Sequence, residues 1–166
     1  MASSSIIPEI YNDQTPSPDV DNPRPPDIIS GRDSRIKTSA HFADVIAAGR
    51  FASSLAEGYS VNSVAVGMCA LSEAVGQDAA SVAVGSGAKA IVYGEGETAV
   101  GVGYGAEAHG VGERGVVVVV NTGCDCSIIS GGPGALLVFV HTPSREVCVR
   151  TVGEDGIKPY TNYTIS

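Results

Sequence analysis

Large side chains are scarce in this chain. It has no tryptophan, three phenylalanines and six tyrosines among 166 residues. An interior of ordinary thickness is filled mainly by such bulky groups, so their scarcity points to a thin core. Basic residues are also few, ten against eighteen acidic ones, for a net charge of −8. Phosphate binding needs clustered Lys or Arg, and no basic stripe is present, so no nucleic-acid partner is expected. No apolar run approaches the roughly 18 residues that cross a bilayer, so no membrane span is expected. The start, MASSSIIPEIYNDQ, lacks a basic flank followed by an apolar run. It therefore does not resemble a cleavable signal peptide, and the chain is read as cytoplasmic when synthesised. Cys69, Cys124, Cys126 and Cys148 follow neither a zinc spacing nor a disulfide-rich density. Neither a metal nor a cofactor is predicted.

What the chain has instead is glycine at a fixed period. Gly49, Gly58, Gly67, Gly76, Gly85, Gly94, Gly103 and Gly112 stand nine residues apart. Such a period marks a solenoid, in which a small unit that cannot bury its own apolar face stacks on its neighbours. Other columns are restricted too. With glycine at the ninth position, the third reads Ala43, Ala52, Val61, Ala70, Ala79, Ala88, Glu97 and Ala106. The fifth reads Val45, Ser54, Ser63, Ser72, Ser81, Ala90, Ala99 and Ala108, and the seventh is also small. Positions six and eight are larger, so small and large residues alternate with the period of a strand.

Units alternate in kind as well. Every second one carries an aliphatic pair: Ile46/Ala48, Val64/Val66, Val82/Val84, Val100/Val102 and Val118/Val120. The intervening units read Leu55/Glu57, Glu73/Val75, Ile91/Tyr93, His109/Val111 and Ser127/Ile129. The expectation is an all-β fold, a β-solenoid of nine-residue half-coils with about 18 residues per coil, one uniform valine face and one mixed face. If positions six and eight faced inward, Glu57, Glu73 and His109 would be buried without evident partners, at a cost of several kcal/mol. A thin roll filled by Ala, Ser and Gly avoids this, with Glu97 as the main offender. A valine-filled core is the alternative.

Three parts are predicted. Residues 1–38 hold Pro8, Pro16, Pro18, Pro23, Pro25 and Pro26 among aspartates, the composition of an extended acidic arm. This arm is either a solvated tail or a segment that docks on a partner protein. Residues 39–130 form the repeat array. Its first units, HFADVIAAG and RFASSLAEG, also fit a short helix. Cys124 and Cys126 fall in small columns and are read as packed thiols. Residues 131–166 read as longer strands forming a C-terminal β cap, which blocks uncontrolled end-to-end stacking.

The Ser-Val-Ala-Val-Gly strings at 63–67 and 81–85 resemble the head repeats of trimeric autotransporter adhesins, a resemblance that implies a β-roll and a trimer. From about residue 50 onward, the nonapeptides, GVVVVV, GALLVFV, EVCVRTVG and the ending Asp155-Gly156-Ile157-Lys158-Pro159-Tyr160-Thr161-Asn162-Tyr163 resemble uncharacterised proteins of phages and prophage-bearing bacteria, which share an IKPxTxY-like tail. That resemblance implies the same architecture and a mobile-element origin, with a phage particle as the place of assembly. It brings no catalytic residues.

Chemistry-bearing patterns are few. A calcium nonapeptide needs an aspartate on each turn, and that column reads Lys89, Thr98 and Glu107. No helix follows the G-x-G pairs to receive a dinucleotide. His41, His109 and His141 are scattered, and none lies in a recognisable nucleophile motif. His109 is read as a solvated or stacked surface residue, and no catalytic residue is assigned. The expected function is a non-enzymatic structural or binding element that self-associates as a dimer or trimer. Its interface is the valine stack of Val64, Val66, Val82, Val84, Val100, Val102, Val118 and Val120. The alternative is a soluble protein capturing a small molecule or host factor on a mixed face bearing Glu73, Tyr93, Tyr104 and His109. A polysaccharide lyase or glycosidase is the third reading, and it requires two carboxylates about 5 to 9 Å apart.

Overall fold

A computed structural model describes residues 9–12, 26–123, 127–154 and 156–165. Among them there is no helix. In chain order the strands are β1 (Glu9–Asn12), β2 (Asp27–Ser30), β3 (Arg35–Thr38), β4 (Asp44–Ala48), β5 (Ser53–Glu57) and β6 (Asn62–Val66). Next come β7 (Leu71–Val75), β8 (Ala80–Val84), β9 (Lys89–Tyr93), β10 (Thr98–Gly103) and β11 (Glu107–Gly110). The last are β12 (Val116–Asn121), β13 (Ser127–Ser130), β14 (Leu136–His141), β15 (Glu146–Thr151) and β16 (Tyr163–Ile165).

From β1 to β14 successive strands alternate between two eight-stranded sheets. The valine sheet runs β15-β14-β12-β10-β8-β6-β4-β2, and the mixed sheet runs β1-β3-β5-β7-β9-β11-β13-β16. Within the coil the pairing is parallel and in register, Val64 beside Val82 beside Val100. Each such partner is one coil, 18 residues, away, the same separation that links Asn62 to Asp44 by a side-chain hydrogen bond. The chain is thus the expected two-faced β-solenoid. The first units are strands β4 and β5, not a helix. Phe42 and Phe51 sit at exposed turn positions with φ of 54° and 61°.

The small columns face inward. Ser54, Ser63, Ser72, Ser81, Ala90, Ala99 and Ala108 are all completely buried. Four of these serines form a spine that zigzags between the sheets. Ser63 Oγ donates to Ser54 Oγ at 2.8 Å, and Ser72 and Ser81 each donate to the backbone carbonyl of the serine before them. Every buried hydroxyl of the spine therefore has a partner, so a polar core costs little. Toward the C-terminal end the interior widens, with Val117, Val119, Leu137 and Phe139 replacing Ser and Ala.

The glycine column is enforced by backbone contact. Gly49, Gly67, Gly76, Gly85 and Gly94 have φ between 139° and 151°. A Cβ on Gly76 would fall on the carbonyl oxygen of Gly58 one coil below. No L-residue fits both constraints.

Three boundaries differ from expectation. The coil begins inside the span assigned to the arm. β2 and β3 are already in register with β4 and β5, Ile29 and Ile36 are buried, and Gly31 (φ 140°) starts the glycine ladder. β14 still belongs to the parallel ladder, and only β15 and β16 are antiparallel closing strands. The nonapeptide phase also slips. An 18-residue step from Glu107 would reach Asp125, but its partner is Ile128, three residues further on, and Ile129 pairs with Ala108. Ser127 and Ile129 are consequently buried and are not the outer pair, because extra residues enter the loop after Asn121. The readings of Cys124 and Cys126, and of most of the arm, lie outside the described residues.

Two substitutions separate the causes of glycine use. Gly76→Ala should destabilise the fold by at least about 3 kcal/mol, because backbone must move. Gly105 has φ of 60° and open space where a Cβ would lie, so Gly105→Asn should change stability by less than about 1 kcal/mol. Thermal unfolding followed by circular dichroism checks both, and equal losses would show that steric contact between coils is not the constraint.

Candidate functional site

Two outer surfaces emerge from this packing. On the valine sheet, position six builds a ladder of Ile28, Ile46, Val64, Val82, Val100, Val118 and Val138, and position eight adds Ala48, Val66, Val84, Val102, Val120 and Val140. β15 continues both rungs with Val147 and Val149. These side chains point away from the Ser/Ala interior and are half-buried or exposed, Val66 at 41% and Val147 at 64%. All eight valines of the predicted stack lie here, side by side on one flat sheet. None of the two columns' members carries a charge.

The mixed sheet is built differently. Its outer columns place Glu73 on β7, Ile91 and Tyr93 on β9 and His109 on β11, with Glu73 and His109 separated by the Ile91 rung. Tyr104 is not on this face. It follows the ninth-position Gly103 and so lies in the corner that leads off the valine sheet, where its ring occupies the space a side chain at Gly123 would need. The four predicted ligand-face residues are therefore not one cluster.

Another group does converge. Lys89, Glu107, His109 and Ser130 come from three adjacent strands, β9, β11 and β13. Lys89 Nζ lies 2.9 Å from Glu107 Oε2, which lies 3.2 Å from His109 Nε2. His109 Nδ1 is 2.7 Å from Ser130 Oγ. An ionised Glu107 only accepts, so the tautomer that suits both partners has its proton on Nε2 and receives the Ser130 hydroxyl at Nδ1. Burial lowers the His109 pKa, opposed by the hydrogen bond and charge of Glu107, which raise it, while the Lys89 charge lowers it. For Glu107, burial pushes upward but is outweighed by Lys89 and His109, so its carboxyl titrates below the ordinary range.

Of the two surface roles expected for His109, solvated or stacked, it takes the stacked one. It stands between a serine and a carboxylate, the connectivity of a nucleophile, base and orienting acid. The accessibility is wrong for that chemistry, since Ser130 is only 7% exposed. It also lines neither of the two clefts at the C-terminal end, which share Phe139, Cys148 and Arg150. The array ties three strands together.

A second ion pair, Lys37 Nζ to Glu57 Oε1 at 3.1 Å, sits lower on the same face. The Lys37 hydrogen bond lowers the Glu57 pKa, against a smaller opposing effect of burial. A glycosidase needs one carboxyl held protonated as general acid. Glu57 and Glu107 are both held ionised. Among the described residues no group of three or more His, Cys, Asp or Glu is placed to hold a metal ion.

Removing the negative charge beside His109 should lower its pKa further. In Glu107→Gln, an imidazole titration followed by NMR should show His109 protonating at lower pH than in the parent chain. An unchanged or raised value would mean that the Glu107 contact does not form.

No protein-family model matches this chain, and no curated protein or solved structure is similar to it.

Proposed function

We propose that this chain is a non-enzymatic structural element, a stiff β-solenoid that assembles by pairing its valine sheet with that of a second copy. The observation that carries this reading is the uncharged aliphatic ladder spanning the outer face of the valine sheet. Eight strands about 4.8 Å apart make that face roughly 34 Å tall, and the two aliphatic columns together with the position-four column, which includes Asp44, Asn62 and Thr98, make it roughly 14 Å wide. The resulting face covers about 500 Å², most of it apolar, the size of patch that on a monomer often marks an interaction site. Doubled across two copies, it reaches the roughly 1,000 Å² from which specific interfaces begin.

A second copy is the occupant that chemistry favours. The two aliphatic columns offer no polar code for a dissimilar partner, whereas β-branched ladders of equal spacing interdigitate when two sheets stack about 10 Å apart. With a net charge of −8, two copies repel over most orientations, and the uncharged aliphatic columns are where they approach at least electrostatic cost. A two-fold pair is the simplest closed assembly. The IKPxTxY-like tail supports a phage or prophage particle as the setting.

The Lys89-Glu107-His109-Ser130 array supports a second reading, capture of a small molecule or host factor on the mixed face. Its members already satisfy one another, which leaves fewer free groups for a ligand. The ionised state of Glu57 and Glu107 weighs against a lyase or glycosidase.

Light scattering of the full chain at two concentrations tests the main reading. The parent chain should have the mass of a dimer or small oligomer. Val82→Glu, an outward position, should shift it to monomer while leaving the strand signal in circular dichroism unchanged. A parent chain that is monomeric at both concentrations would overturn the proposal.

A further inference from the structure

Glu97 occupies the third position of its unit, where the other units have alanine or valine, and it is completely buried. Its surroundings are shaped for it. Side chains at Gly110, Gly112 and Gly115 would all collide with the glutamate: a Cβ on Gly110 would lie 3.1 Å from Oε1, one on Gly115 would lie 2.8 Å from Cγ, and one on Gly112 would overlap Oε2. The space at Gly115 is taken by the glutamate alone, whereas Val117 also crowds Gly110 and the Gly94 carbonyl also crowds Gly112. Oε1 accepts a 2.6 Å hydrogen bond from the Gly112 N–H. At the same corner in lower coils this N–H donates to a carbonyl of the next coil, as Gly58 does to Val75 and Gly76 to Tyr93. Among the described residues, Oε2 has no partner.

Among the described residues no ion pair involves this group. On its own turn and the turns stacked below and above, the charged residues are Glu95, Asp78, Glu113 and Arg114, and all four are exposed. On β9, Lys89 and Tyr93, and on β11, Glu107 and His109, lie on the outward columns, on the opposite side of each strand from the interior. β10 and β12 contribute no titratable side chain. Oε2 lacks a partner in either state, and leaving a neutral hydroxyl unpaired costs far less than leaving an ionised carboxylate oxygen so, which favours the protonated acid here.

We propose that Glu97 is a proton-operated latch: the corner joining β9, β10, β11 and β12 stays closed while this carboxyl is protonated and opens locally when it ionises. Burial raises the Glu97 pKa, against smaller opposing effects of the backbone N–H groups of Gly112 and Glu97. The folded pKa therefore lies above the unfolded one. The stabilisation is fully present below the unfolded pKa and is lost as pH rises through the folded pKa. Alkalinity, not acidity, loosens this corner. The effect is local, because the opened segment includes the β12 amide of Val116, which donates to the Glu97 carbonyl at 2.8 Å.

Hydrogen exchange of the full chain across a pH series provides the test. After correction for intrinsic base catalysis, the opening equilibrium at residues 110–117 should rise up to tenfold per pH unit between the unfolded and folded pKa of the carboxyl, and then level off. The lower coils should not respond. Glu97→Gln keeps the shape and cannot ionise, so its profile should be flat. Because that variant has a chance of misfolding, the ¹³C titration of the Glu97 carboxyl in the parent chain stands as an independent readout and should lie well above the ordinary glutamate value. An ordinary value, or equal pH profiles for parent chain and Glu97→Gln, would overturn the latch.

Discussion

Everything in this structure depends on how closely one backbone corner can lie on the next. At each turn the carbonyl of one ninth-position residue occupies the place where the next coil's Cβ would be, as with Gly58 beneath Gly76. Only glycine permits that approach, and only that approach brings the strands into parallel register every 18 residues. The thin interior follows. Coils stacked with corners this tight leave room for Ser and Ala between the sheets, which is why large residues are rare and why the valines must stand outside. The fold's most conspicuous surface is therefore a by-product of its tightest contact.

The interior also shows how a polar core is made tolerable. Hydroxyls stacked along the axis are satisfied by each other and by carbonyls of the preceding half-coil. Glu97 has no such neighbour, and its site is made instead by deleting side chains around it. The same type of residue, a buried polar one, is thus accommodated by pairing in one place and by vacancy in another. The first gives a stable element and the second gives a sensitive one.

Much of this was legible in the residues because the repeat is strict. The glycine period, the alternation of small and large columns and the charged exceptions at positions six and eight were sufficient to infer two faces and a small-residue interior. What was lost lies where the period breaks. Gly31 stands 18 residues before Gly49, but Ala40 interrupts the column between them and the proline-rich composition around it suggested an arm. His109 would face Ser127 if the phase continued. The extra residues after Asn121 replace that partner with Ser130, so the hydrogen-bonded array had no sequence signal. Tyr104 was misassigned because a residue next to a corner glycine belongs to no face. Glu97 stood out as the misfit of an inward column, yet Gly110, Gly112 and Gly115 looked like ordinary members of theirs. Their relation to Glu97 exists only across coils.

Near-identical coils pose a problem of indexing, since a strand displaced by one whole coil would still set glycine on glycine and alanine on alanine. The serine spine resolves it. Ser54, Ser63, Ser72 and Ser81 occupy four consecutive half-coils, flanked by Val45 below and Ala90 above. A displaced coil would end the chain of hydroxyls early and leave one of them facing a methyl group, at a cost of about 1 to 3 kcal/mol. The spine thus works as a key that only one alignment of the repeats can turn.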